Sequence, residues 1–280
     1  MPLEVLFAGH YCHDTIVDKD GTERTELGGA AAYASAVLLA ARVDFRVAAL
    51  VGDDFRYVVP KPPRVVAGAR TTVFIEDYRG ADRTGTLVSA APPLEPDDLG
   101  DARCQVGMAC AIAGEIGAAT LERLRELSGI LIADAQGFVR GFDARGRVFH
   151  RAPEPALRQQ IDRLDWLKLS RSETEALDPG ALRCGAIVTD GDRGCLVLWE
   201  GREVQVPAFT ASEVDPTGAG DCFLAGFAVG LLRGRDPIEA ARFASFCGAL
   251  AVAQAGVPRL RPEDLAAFSA AASSGALAPR

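Results

Sequence analysis

Only three histidines occur in 280 residues, and the seven cysteines are scattered at 12, 104, 110, 184, 195, 222 and 247 with no C-x-x-C pair. This argues against a zinc site and a disulfide framework and points to a reducing compartment. Positive charge is also short. Thirty lysines and arginines stand against 38 aspartates and glutamates, a formal net charge of −8. Neither nucleic acid nor an anionic membrane is then a default partner, and an anionic ligand needs local donors in place of a basic field. No apolar run is long and uncharged enough to span a bilayer, and the first residues have no basic leader region, so a cytoplasmic protein is expected. Gly-Lys-Ser/Thr is absent, which excludes a P-loop.

What is present is a globular composition, 49% hydrophobic and 24% charged, in a chain long enough for one large domain or two small ones. One stretch organises it. Val214-Asp215-Pro216-Thr217-Gly218-Ala219-Gly220-Asp221 is a polar turn that runs into Phe223, Leu224, Phe227, Ala228, Leu231 and Leu232 at helical spacing. Its glycines allow a sharp turn and leave backbone N–H groups uncovered. The first turn of a helix has unpaired donors and the positive end of the macrodipole, so it can hold an anion. Asp221 there is at least a favourable dipole partner. Beside an anion cradle it can also take the proton of a hydroxyl attacking a bound phosphate. Two acids bracketing Thr-Gly-Ala-Gly exceed what a cap requires, which favours the second reading. A dinucleotide fingerprint fails at Phe223, where a third glycine is needed, despite Glu239 downstream. An aspartyl-phosphate site fails at Pro216, where lysine should follow the aspartate.

Elsewhere strands alternate with helices. Apolar runs predict strands over 3–9, 45–51, 104–113, 129–133, 166–169 and 186–189, and a hairpin over 195–206. Helical patterns cover 30–42, 117–128, 156–164 and 238–255, with a further helix starting at 172–177. Residues 60–63 are a stiff connector, and the Ala/Ser-rich end after Phe268 is expected to fray. Such alternation implies an α/β sandwich, a mostly parallel sheet with helices on both faces. The β-rich segments 14–26 and 71–90, turning at Asp20-Gly21 and at 79–83, form a small sheet that cannot bury both faces alone. Over the active site it would exclude water. The expected division is therefore a core of 1–13, 27–70 and 91–280 with a β lid of 14–26 and 71–90.

These residues also carry a family resemblance. Asp215 to Asp221 resembles the D-T/P-x-G-A-G-D motif of the ribokinase-like (PfkB) carbohydrate and nucleoside kinases, and nearly the whole chain can be matched. Gly28-Gly29 matches that family's di-glycine, and Asp14 its substrate-holding aspartate. Residues 188–194 resemble its T-x-G-x-x-G nucleotide loop, and 246–256 its alanine-rich helix over the adenine. Ser172 and Tyr33 depart from it, since each stands where asparagine is usual, although Glu175 keeps the acid of the N-x-x-E motif. Within the family, Gly9 to Asp14, Val51 to Tyr57, Asp134-Ala135-Gln136 with Arg140, and Leu167-Lys168 are similar to the plant-type myo-inositol kinases.

The resemblance implies a ribokinase-like three-layer α/β/α fold and ATP-dependent phosphorylation of a small polyol, myo-inositol first. Another sugar or a nucleoside is an alternative acceptor, and a catalytically silent sugar-binding homologue is an alternative of a different class. Asp221 is implied as the base, with Gly218, Ala219 and Gly220 as the anion hole. Asp14, Gly28, Gly29, Gln136, Arg140 and Asp221 surround the acceptor. A ring bearing only hydroxyls has no charge to grip, so paired acceptors and donors suit it. Without the family, Asp14 reads equally as a turn residue and Arg140 as a surface arginine. Thr189, Gly191, Gly194, Thr217, Gly218, Gly220, Phe246 and Gly248 would meet the nucleotide. Glu175 would reach Mg²⁺ through water, and Asp215 and Thr217 would hold a monovalent cation such as K⁺. A monomer and a lid-mediated homodimer are both compatible.

Overall fold

The computed structural model describes residues 3–80 and 84–275. The chain runs β1 (Leu3–Ala8), β2 (Cys12–Val17), β3 (Glu23–Gly28), α1 (Ala30–Ala40), β4 (Phe45–Ala48), β5 (Leu50–Gly52), β6 (Arg64–Val66), β7 (Thr72–Asp77) and β8 (Thr84–Ser89). It continues through β9 (Cys104–Ala109), α2 (Ala118–Leu127), β10 (Ser128–Asp134), α3 (Gln136–Val139), β11 (Arg140–Phe142), β12 (Val148–His150) and α4 (Pro155–Ile161). The last part holds β13 (Trp166–Ser170), β14 (Gly185–Thr189), β15 (Cys195–Trp199), β16 (Arg202–Val206), α5 (Ala219–Leu232), α6 (Pro237–Val252), α7 (Pro262–Ala266) and α8 (Phe268–Ser274).

Eight strands form the central sheet in the order β16-β15-β14-β13-β10-β9-β1-β4. Pairing is parallel from β4 to β14 and antiparallel at β15 and β16. Successive side chains of a strand point to opposite faces, and β1 uses both. Val5 and Phe7 join the core shared with α1, α5 and α6, while Leu6 and Ala8 join the core shared with α2 and α4. Burial on both faces is why these strands read as unbroken apolar runs. A second sheet, ordered β3-β2-β7-β8, corresponds to the segments expected to pair over the site. The turn expected at 79–83 lies partly outside the described residues.

Several elements differ from expectation for identifiable reasons. The run 45–51 breaks after Ala48, and β5 pairs with β6 outside the central sheet. The start expected at 172–177 is a 3₁₀ turn, Arg171–Glu173, closed by a capping box in which Glu173 accepts the Ser170 amide at 2.7 Å. Pro179 bars the helical conformation only at Asp178, which is extended at ψ 115°. The chain after Phe268 does not fray at once. It forms α8, and Phe268 packs with Phe209, Phe243 and Phe246 in one aromatic cluster.

Candidate active site

Helix α5 is buried from Cys222 to Gly230, which fixes its N-terminus against the carboxyl edge of the sheet. Gly218 caps it at φ 72°, a left-handed conformation, and a Cβ there would lie 2.0 Å from the Tyr33 ring. Both facts require glycine. Among the described residues, the amides of Gly218, Gly220 and Asp221 meet no acceptor. The Ala219 amide reaches the Pro216 carbonyl at 3.3 Å, so Ala219 drops out of the expected set of open donors. Asp215 holds the turn in place. Its carboxylate accepts the Thr217 amide at 2.9 Å and the Gly256 amide at 3.0 Å, and its own amide donates to the Val252 carbonyl at 3.1 Å.

Asp221 opens into a cavity of about 470 Å³ that also receives Asp14, Gly29, Gln136, Arg140, Thr217, Gly218 and Gly220. Gly28 stands behind this lining. A Cβ on it would fall 1.8 Å from Asp14 Oδ2, so its smallness makes room for the aspartate. Asp14 is buried and accepts the Cys12 thiol at 3.0 Å. Arg140 donates to the Ile112 carbonyl at 3.2 Å and lies 5.7 Å from the Phe74 ring centre. The half-buried Asp221 carboxyl is pushed up to about 7 by burial and by the charge of Asp134, against the pull of Lys168 and Arg140, with Asp14 adding to the rise. A carboxylate poised there can exchange a proton near neutrality.

Four charged lining residues had no place in the sequence-based site. Lys168 donates to Asp134 Oδ2 at 2.8 Å, with both side chains buried. Burial favours the neutral amine, but the carboxylates of Asp134, Glu173 and Asp221 outweigh it and hold the ammonium charged above the ordinary lysine range. The other Asp134 oxygen accepts the Gln136 amide at 3.0 Å. Glu173 is buried in the lining, whereas Glu175 is exposed and outside it, because the chain there makes a 3₁₀ turn in place of the expected helix. Glu76 had a readable signal. Thr72, Phe74 and Glu76 alternate as the buried face of β7, so this acid points inward with a phenylalanine.

A second cavity of about 430 Å³ meets the first at Thr189, Pro216 and Gly220. Gly191, Gly194 and Gly248 line it, joined by Phe209, Phe223, Ala249 and Val252. Phe246 is corrected. Ser245, Gly248, Ala249 and Val252 share one helical face toward the cavity, and Phe246 falls outside that row, buried in the aromatic cluster. Among the described residues, no group of three or more His, Cys, Asp or Glu side chains could hold a metal ion. No described helix is long and apolar enough to cross a membrane. Beside Asp215, the buried Glu26 Oε1 has no hydrogen-bond partner among the described residues, and burial, with Asp215 adding, raises that carboxyl against the pull of Arg24.

Comparison with known proteins gives a consistent picture. The model of the pfkB family of carbohydrate kinases matches residues 153–263. Inositol 3-kinase of Oryza sativa subsp. japonica is 40% identical over 286 residues, which cover 95% of this chain and 72% of that one. Inositol 3-kinase of Zea mays is 38% identical over 95% of this chain and 76% of its own length. A pyrophosphate-dependent kinase in the ribokinase family, solved with a pyrophosphate analogue and myo-inositol, matches with a TM-score of 0.78. It is 26% identical and covers 94% of this chain and 99% of that one. The fold is ribokinase-like.

Proposed function

We propose, from the premise that this chain belongs to the pfkB family of carbohydrate kinases, that it transfers the γ-phosphoryl group of ATP to a hydroxyl of myo-inositol. One observation carries the chemistry: a carboxyl tuned to about 7 stands beside open amides at a helix N-terminus, where two cavities meet. The acceptor lies in the first cavity, where Asp14 and Gln136 serve its hydroxyls and Arg140 stands over it. The four-stranded sheet acts as a lid through Phe74 and Glu76. Asp221 takes the proton of the attacking hydroxyl. The amides of Gly218, Gly220 and Asp221 meet the charge that spreads over the transferred group, a role in which one donor is worth roughly 3 kcal/mol. Positioning supplies much of the remainder.

ATP occupies the second cavity. Pyrophosphate is the rival donor, because the solved relative uses it. An apolar chamber walled by Phe209, Phe223, Ala249 and Val252 favours a nucleobase. Mg²⁺ fits a site with few protein carboxylates, since it keeps waters and rides on phosphates. Glu173 in the lining is the acid that would hold it through water, where it would neutralise charge on the phosphate oxygens. Asp215, Thr217 and the orphaned Glu26 oxygen suit a monovalent cation.

Turnover decides the proposal. Purified protein with ATP and Mg²⁺ is assayed against myo-inositol, ribose, fructose and adenosine. Release of ADP with myo-inositol is expected. Activity only on the other three rejects the acceptor, and activity only with pyrophosphate rejects the donor. Polyol binding without any turnover supports a silent binding protein.

A further inference from the structure

We infer that Lys168 is a catalytic residue whose ammonium binds the phosphoryl group in transit, and that Asp134 is the positioning residue that holds it there. This rests on the kinase function proposed above.

The geometry begins at the carboxyl end of β13. Lys168 reaches Asp134 Oδ2 on the neighbouring strand β10, and its other two N–H donors have no partner among the described residues. The side chain is 6% exposed, yet it lines the cavity. A Cβ on Gly220 would lie 2.8 Å from Nζ. The ammonium therefore abuts the first turn of α5, whose Gly220 and Asp221 amides are open. Gly220 also borders the second cavity, which places the charge where donor and acceptor meet.

A purely structural pair explains less. Replacing a buried ion pair with apolar residues is often neutral for stability, so stability alone gives little reason to keep one. Nor does such a pair need two unused donors facing a cavity. Three carboxylates, Asp134, Glu173 and Asp221, surround the ammonium, so an incoming phosphate needs a cation of its own. The residue type fits as well. Only three of the thirty basic residues are lysines, and this one packs its ammonium so closely on Gly220 that a Cβ there would lie 2.8 Å from it, a close approach that suits a compact point charge.

The groups facing Asp221 are Asp134, Lys168, Arg140 and Asp14, so each single variant below leaves three of them in place. Lys168→Met should lower kcat about 10²–10³-fold, keep the polyol KM within about threefold, and move the kcat/KM midpoint to higher pH. Lys168→Arg should keep the charge yet lose most of the rate. Asp134→Asn should move the midpoint the opposite way. A folded Met variant with wild-type kcat and an unmoved midpoint overturns the inference. If that variant does not fold, the Lys168→Met/Asp134→Asn double variant decides, because it removes both charges of the hydrogen-bonded pair. It should lose at least 100-fold in kcat, and wild-type kcat overturns the inference. Inorganic phosphate, read as a melting shift, needs no acceptor. It should stabilise wild type and not the Met variant. A shift retained without Lys168 overturns this inference alone, and a wild type inactive on myo-inositol overturns the acceptor alone.

Discussion

Asp221 has opposite effects on activity and stability. Its carboxyl is raised from the ordinary 3.8 to about 7. As a base it works only when ionised, so kcat/KM should climb with pH through about 7, and a profile already flat at pH 5 would contradict the assignment. Stability runs the other way. A group whose folded pKa lies above its unfolded value stabilises fully below the unfolded value, and that contribution fades as pH rises from about 4 through 7. Asp221→Asn should lower kcat by about 10³ while raising stability at pH 8 by on the order of 1 kcal/mol, the cavity's water screening the rest. Melting curves at pH 5 and pH 8 check this, since the gain should appear only at the higher pH. Gly28→Ala is a second test. Its methyl would overlap Asp14, so the polyol KM should rise at least tenfold with the ATP KM unmoved. Equal changes in both would point to general disruption.

At the scale of elements, α6 separates packing from binding along one helix. Phe246→Ala should destabilise by roughly 3–5 kcal/mol through a cavity in the aromatic cluster, with a near-normal ATP KM. Gly248→Leu should raise the ATP KM with little loss of melting temperature, because Gly248 borders the second cavity. The reverse pattern would return Phe246 to the nucleotide site. This pair also marks what could be read in the sequence. The helix and its composition were legible, and the resemblance implied a nucleotide beside it, but which of Phe246 and Gly248 faces the second cavity depends on rotation about the axis, and α6 is buried nearly all round. For the same reason, strands buried on both faces were found as apolar runs and β5 only as the tail of the run 45–51, whereas β6, β11 and β12 were not. Each has three residues and is held by its partner more than by its own pattern. The 3₁₀ turn at Arg171–Glu173 belongs with these. Its capping box, in which Glu173 accepts the Ser170 amide, brings that glutamate and not Glu175 to the site.

At the scale of the molecule, two cavities divide the proposed work. The first is lined by β2 and β7 of the four-stranded sheet together with the core, and the second by β14, the loop after it, α5 and α6. The four-stranded sheet is tied to the core at both ends of its order. Leu87 on β8 donates to the Gly146 carbonyl at 2.8 Å beside the β11–β12 hairpin, and β3 leads directly into α1. Cys12 and Phe74 already pack into the core, while Asp14 and Glu76 line the cavity, so a ligand filling it adds contacts to β2 and β7 and should raise the free energy at which their amides open. Myo-inositol alone should therefore slow hydrogen exchange in β2 and β7 and leave α6 nearly unchanged, and an ATP analogue alone should protect the loop after β14 and α6 first. If either ligand protected both regions equally, the two halves would form one cooperative unit and the sheet would be a fixed wall, not a lid.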